Sequence, residues 1–179
     1  MHDAASTART ANLLGATALA ITDLAVTGSA RAVGLSTSAA AALVILSTDP
    51  GPSVSDLGRR IGLSQPAAAR MVAAMESTGL VRREPGAGRE VSVVPTPDGE
   101  RTAASVLAAR EDALRRLVET LDVDARRSLA RALGTLLTEL HAEVGSAELL
   151  CRMCDRACCV DGAAVCPVGQ AERNALRGR

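Results

Sequence analysis

Phenylalanine, tyrosine and tryptophan are absent from the 179 residues, and so is lysine: the 20 basic side chains are all arginine. Without aromatic rings there is no platform for unpaired bases to stack on, which argues against a binder of single strands or RNA loops. The core has to be built from Leu, Val, Ile, Met and Ala, so helices approach closely while each buries little area. A GC-rich coding bias accounts for both absences more simply than any functional demand. An excess of one charge is also lacking. The 20 arginines meet 20 acids, for a formal net charge of zero, which excludes a chain that is basic throughout. The apolar fraction of 47% excludes a disordered protein. The apolar stretch from Leu13 to Val26 is interrupted by Thr17, Thr22 and Asp23. It reads as too short to span a bilayer and carries no secretory signal, so a cytoplasmic protein with no membrane contact is expected. No Ser/His/Asp arrangement, phosphate loop or carboxylate pair in a catalytic context occurs, and an enzyme is not expected.

What charge there is has been placed unevenly. From Leu57 to Glu90 six arginines face three acids, a local positive surface suited to phosphate. The same region, Ser53 to Gly99, reads as two short helices, a sharp turn and a β-hairpin. Ser53 caps the first helix with Asp56 three residues on, Leu57 and Ile61 give it one apolar stripe, and Gly62 ends it. Ser64 caps the second helix, with Pro66 tolerated in its first turn. Met71, Val72, Met75 and Leu80 form its inner side. Ser64, Gln65, Pro66, Ala68, Ala69 and Arg70 are left for an outer face of small residues, one amide and one guanidinium, which fits a major groove. Val81 and then Val91, Val93 and Val94 supply strands. Pro85-Gly86-Ala87-Gly88 supplies a tip too long for a two-residue turn, and Arg82, Arg83 and Arg89 lie on or beside it. This is the layout of a winged helix-turn-helix, and double-stranded DNA is the expected partner. A winged helix used for protein contacts is the alternative from a different class.

Helices flank this unit. Residues 1–10 are expected to fray, and residues 11–30 place Leu14, Ala18, Ile21 and Ala25 at helical spacing. Ser36 to Leu46 reads as a helix buried on most sides. Thr96-Pro97-Asp98 starts a long helix with a capping hydroxyl, a proline and an acid. A last helix begins at Asp122 and carries Leu129, Leu133, Leu136, Leu137 and Leu140 on one side. These stripes exceed what so small a domain buries by itself, so a homodimer is expected. The expected fold is mainly α with a small β-hairpin wing. Residues 1–35 and 100–146 would form dimerisation helices, 36–99 the DNA-binding domain and 147–179 a cysteine-rich tail.

The element order and the stretch LSQPAAARMVAAMESTGLVRRE, followed by GRE and TPDG, resemble the MarR family of bacterial transcription regulators over about residues 10–145. The resemblance implies a dimer with interlocked terminal helices, a palindromic operator, and a cleft for a small apolar or phenolic effector. On the family's Asp-x-Arg wing motif, Arg89 takes the arginine position, but Ala87 stands where the aspartate belongs.

All 5 cysteines fall in one short segment: Cys151, Cys154, Cys158, Cys159 and Cys166, the last followed by Pro167. The Cys-x-x-Cys bite places two thiolates on one metal, and a third at Cys158 or Cys159 with a fourth at Cys166 would complete a shell. An iron–sulfur cluster, structural zinc and metal-free thiols or disulfides all remain open. Crowding into one loop without histidine, and the final Cys-Pro, favour the cluster. The tail is similar to the C-terminal cluster loop of redox-sensing MerR-type regulators, with different internal spacing. His2 is expected to be inert. His141, close to Glu139 and Glu143 in sequence, is expected on a solvent-facing helix side.

Overall fold

The structure, a computed structural model, describes residues 2–86 and 91–178. Its first element, α1 (His2–Ile21), runs through a π-helical turn at Thr22–Thr27 into α2 (Gly28–Ala32) without a break. The helix therefore starts well before Ala11, because no glycine or proline interrupts the Ala-rich segment ahead of it. Over Ala5–Ala32 it is 28 residues long and contains an 18-residue window of mean hydropathy 1.4, long and apolar enough to cross a membrane by length and composition. The Leu13–Val26 run is thus part of a longer apolar helix, and its own shortness does not exclude a span.

Local capping sets the next boundaries. Ser36, Ser53, Thr96 and Asp122 each accept a hydrogen bond from the backbone amide three residues on. They open, in turn, α3 (Thr37–Thr48), α4 (Val54–Ile61), α6 (Pro97–Glu119) and α7 (Val123–Val144). Between α4 and α6 lie α5 (Gln65–Ser77) and an antiparallel hairpin of β1 (Val81–Pro85) and β2 (Val91–Pro95). Val81 pairs with Pro95 and Pro85 with Val91. The chain before α4 extends this sheet: the Gly51 amide donates to the Val93 carbonyl at 3.0 Å, and the Val93 amide to that of Pro52 at 2.9 Å.

The core lies beneath α3. Ala40, Ala42, Leu43 and Leu46 are buried there with Leu57, Val72, Val81, Val93 and Val106 from the surrounding elements. Ala is small enough for α3 to be covered on most sides, as its sequence predicts. The α2 end of the N-terminal helix packs on α6 through buried Ala25, Ser29 and Ala30. Ser29 satisfies its buried hydroxyl by donating to the Ala25 carbonyl at 2.7 Å. Leu13, Leu14, Leu19 and Leu24 remain exposed, as do Leu129, Leu133, Leu136 and Leu140 on α7.

The tail is folded rather than a loop. It forms α8 (Ala147–Leu150), α9 (Arg156–Cys159) and α10 (Pro167–Arg177). The last of these packs along α7, and Met153 enters the main core. His141 corrects its sequence reading. It is 6% exposed and meets Glu172 of α10 at 2.5 Å (Nε2 to Oε2), because α10 covers the face assigned to solvent.

Candidate nucleic-acid interface and thiol cluster

Gly62 ends α4 at φ 75°, a left-handed conformation that suits glycine, and the chain re-enters a helix at Gln65. The Leu63 amide closes the turn on the Gly58 carbonyl at 2.8 Å. α4 and α5 cross at Gly58 and Ala68, so closely that a Cβ at Gly58 would stand 2.7 Å from the Ala68 Cβ. Ala68 is fully buried, which corrects its assignment to the outer face. Ala68, Val72 and Met75 recur at helical spacing and share one side. The other assignments are exposed: Ser64, Gln65, Pro66, Ala69 and Arg70 all face solvent. Ser64 occupies the position before α5, yet its hydroxyl makes no capping bond. Among the described residues, the Gln65 and Arg70 side chains take part in no hydrogen bond or ion pair. α5 thus offers an amide, a guanidinium and a hydroxyl with no intramolecular claim on them.

The hairpin carries its arginines differently. Arg82 pairs with Glu84, and Arg83 reaches Glu76 of α5 at 3.0 Å. Both guanidiniums stay exposed, so these pairs are weak and exchangeable. Arg89 and Ala87 lie outside the described residues.

The tail docks on the other side of α4. Glu148 receives Arg60 Nε at 2.8 Å and Arg59 Nη1 at 3.2 Å, while Arg60 Nη2 donates to Asp49 at 2.6 Å. Burial opposes the charge on Arg60, and Asp49 and Glu148 more than restore it. Leu149 rests against Gly62, where a Cβ would come within 3.3 Å of its Cδ1. Sequence reasoning missed this clamp. The Arg59-Arg60 doublet is visible in the sequence, but nothing near it marks a carboxylate 88 residues away.

Under the clamp is a cavity of about 720 Å³. Cys151, Cys154, Cys159 and Cys166 line it from the tail, and Val44, Ile45, Thr48, Asp49 and Arg60 from the DNA-binding domain. Cys158 is exposed and does not line it. Asp155 caps α9 by accepting from the Ala157 and Cys158 amides, and of the two adjacent thiols Cys159 is the one on the cavity wall. Gly162 and Ala163, both at positive φ, then turn the chain back toward Cys166. All five cysteines are free thiols. Cys151 is held below the ordinary thiol range by a hydrogen bond from Cys154. That bond and burial push Cys154 far up, and burial with the neighbouring sulfurs pushes Cys159 up to about 11. Among the described residues no three His, Cys, Asp or Glu are drawn up around one point as a finished metal site. The four thiols interact with one another along the cavity wall without forming such a group.

This fold and surface define a winged helix-turn-helix protein. Residues 33–90 match the model of the MarR family; the match stops well before the cysteines. Members of that family are transcription regulators, not enzymes. Solved structures agree on the fold. A MarR family protein from Bacillus stearothermophilus superposes with a TM-score of 0.66 at 21% identity, covering 79% of this chain and 96% of its own. MepR, a transcription regulator of the Staphylococcus aureus multidrug efflux pump MepA, gives 0.65 at 15%, covering 73% and 97%. The Mycobacterium tuberculosis MarR family protein Rv2887, in complex with p-aminosalicylic acid, gives 0.56 at 23%, covering 70% and 96%. No curated protein matches the chain.

Proposed function

We propose that this protein is a homodimeric, cytoplasmic transcription regulator that lays α5 in the major groove of a palindromic duplex, with a thiol-held metal centre setting its affinity. The observation that carries the reading is the outer face of α5, where Gln65 and Arg70 stand exposed and unengaged beside the small Ala69. A guanidinium without a carboxylate partner keeps its full capacity for a phosphate or a guanine edge. Support for a dimer comes from the exposed leucines of α1 and α7, which are apolar surface that a single chain leaves in water. The same pairing would withdraw the N-terminal helix from solvent and account for its hydropathy without a bilayer. An iron–sulfur cluster or a zinc ion is the centre that four inward thiols support by donor chemistry.

Arg70→Ala tests the DNA reading. Operator affinity should fall by about 1–3 kcal/mol, the range for losing a bidentate base contact, with the dimer intact by sedimentation. Unchanged gel shifts at fixed salt would refute it.

A second reading has its own observation. Met153 reaches the main core, so the tail also serves as structure. In that reading zinc is structural, and a small apolar or phenolic effector acts in the cleft between the DNA-binding lobe and the dimer helices. An anaerobic visible spectrum separates the two, because a cluster is brown and zinc is colourless.

A further inference from the structure

Resting on the reading above, we propose that Cys151, Cys154, Cys159 and Cys166 form a four-thiolate site for a thiophilic metal centre, with Cys158 outside it, and that Arg60 of α4 is its hydrogen-bond donor. Arg60 is the only residue of the helix-turn-helix pair α4–α5 that lines the cavity. Its guanidinium is nearly saturated: Nε donates to Glu148 and Nη2 to Asp49. Nη1 is buried and has no acceptor. Native structures seldom leave a charged donor in that state unless something absent from the protein chain completes it.

Asp49 and Glu148 already balance the Arg60 charge, so what Nη1 lacks is an acceptor rather than a counter-ion. Four thiolates on a divalent ion carry two net negative charges. A four-iron cluster in its 2+ state, bound the same way, carries the same. Thiolate sulfur accepts hydrogen bonds, and such bonds tune metal–sulfur sites. Arg152, Arg156 and Arg173 line the tail side of the cavity with Glu148, so that wall is net cationic, while Arg60 and Asp49 offset each other on the α3–α4 side. Filling the site therefore adds a tie between the tail and α4 beyond the one Glu148 makes. Emptying it releases that tie on the helix that packs against α5. The metal state is thereby read by the DNA-binding unit within its own chain, without passing through the dimer interface.

The test uses the full-length protein, stripped of metal and kept anaerobic. In one arm it is titrated with Co²⁺, then Zn²⁺, following thiolate-to-cobalt absorption. In the other it is reconstituted with iron and sulfide and followed in the visible. The arm that yields a stoichiometric centre identifies the metal. In that arm Cys154→Ser and Cys159→Ser should abolish binding, while Cys158→Ser keeps wild-type affinity. Arg60→Gln should weaken metal affinity at least tenfold. In wild type the metal should shift operator affinity by about 5- to 150-fold, the usual span of coupling between sites. Arg60→Gln should bind DNA as the metal-free wild type does and show no such shift. Arg60→Lys keeps the charge without the fork and should fall between the two, which keeps the test open should the Gln variant fold poorly. Metal loss in Cys158→Ser, or full metal affinity and an undiminished shift in Arg60→Gln, overturns the inference. If no variant, wild type included, takes up metal while the gel shift persists, this inference fails and the DNA reading stands. Absence of DNA binding in every metal state instead removes the reading beneath it.

Discussion

The α4–α5 crossing separates what is buried in the recognition helix from what faces DNA, and neighbouring alanines test it. Ala68 is fully buried, and the contact at Gly58 leaves no room for even one added carbon, since a Cβ there would sit 2.7 Å from the Ala68 Cβ. Ordinary carbon contacts lie near ~3.5–4.0 Å. Ala68→Leu adds three carbons at that point, and each would be worth about 0.8 kcal/mol if it found apolar space. No such space exists, so α4 and α5 must part, at a typical overpacking cost of about 1–3 kcal/mol. For a chain of this size each kcal/mol moves Tm by about 2–4 °C, so Tm should fall by roughly 2–12 °C. Ala69→Leu should stay within about 0.5 kcal/mol of wild type, because the site is an exposed helix position. It should nonetheless weaken operator binding by placing a branched side chain on the groove-facing side. Thermal unfolding by circular dichroism and a gel-shift series on the same preparations provide both readings. A wild-type Tm for Ala68→Leu combined with lost DNA binding would refute the reasoning, since it would place Ala68 on the outer face.

Gly99→Ala should destabilise by about 1–3 kcal/mol in urea unfolding, because a Cβ there runs into the Leu80 carbonyl, a backbone atom that cannot swing away. That exceeds the helix-propensity gain of up to about 1 kcal/mol, and an unchanged midpoint would contradict the close approach. Under iodoacetamide, Cys158 should label equally with and without bound metal, while the four cavity cysteines are protected when metal is present; mass spectrometry of the labelled peptides decides. In metal-free protein, Cys159 titrates at about 11 against an ordinary value near 9.0. Its neutral form is thus favoured by folding, a contribution present below about pH 9 and lost as the pH rises toward 11. Tm should decline across that window, and Cys159→Ser should flatten the decline.

The legible parts of the sequence were those whose cause is local. Ser53, Thr96 and Asp122 announce their helices because a capping side chain and the amide it serves lie three residues apart. Gly62 announces the turn because its left-handed conformation suits a residue without a Cβ. The hairpin and the outward Gln65, Ala69 and Arg70 follow from the same short-range periods. Ala68 was misread although its spacing from Val72 and Met75 already placed it inside; its small size stood equally for a groove-facing surface and for a tight crossing.

Other features had no local signature. The tail's cysteines are evident as a cluster, but which of Cys158 and Cys159 lines the cavity depends on where the four-residue α9 docks. His141 looked solvent-facing until α10 folded back over it with Glu172. The clamp of Glu148 on Arg59 and Arg60, and the orphaned Nη1 of Arg60, join residues almost half the chain apart. Caps, turns and apolar stripes are decided by neighbours within about one helical turn, so composition and spacing determine them. Which helix covers which face, and which charge ends up beside which thiol, depends on distant segments packing together and excluding water. Only the tertiary structure decided those.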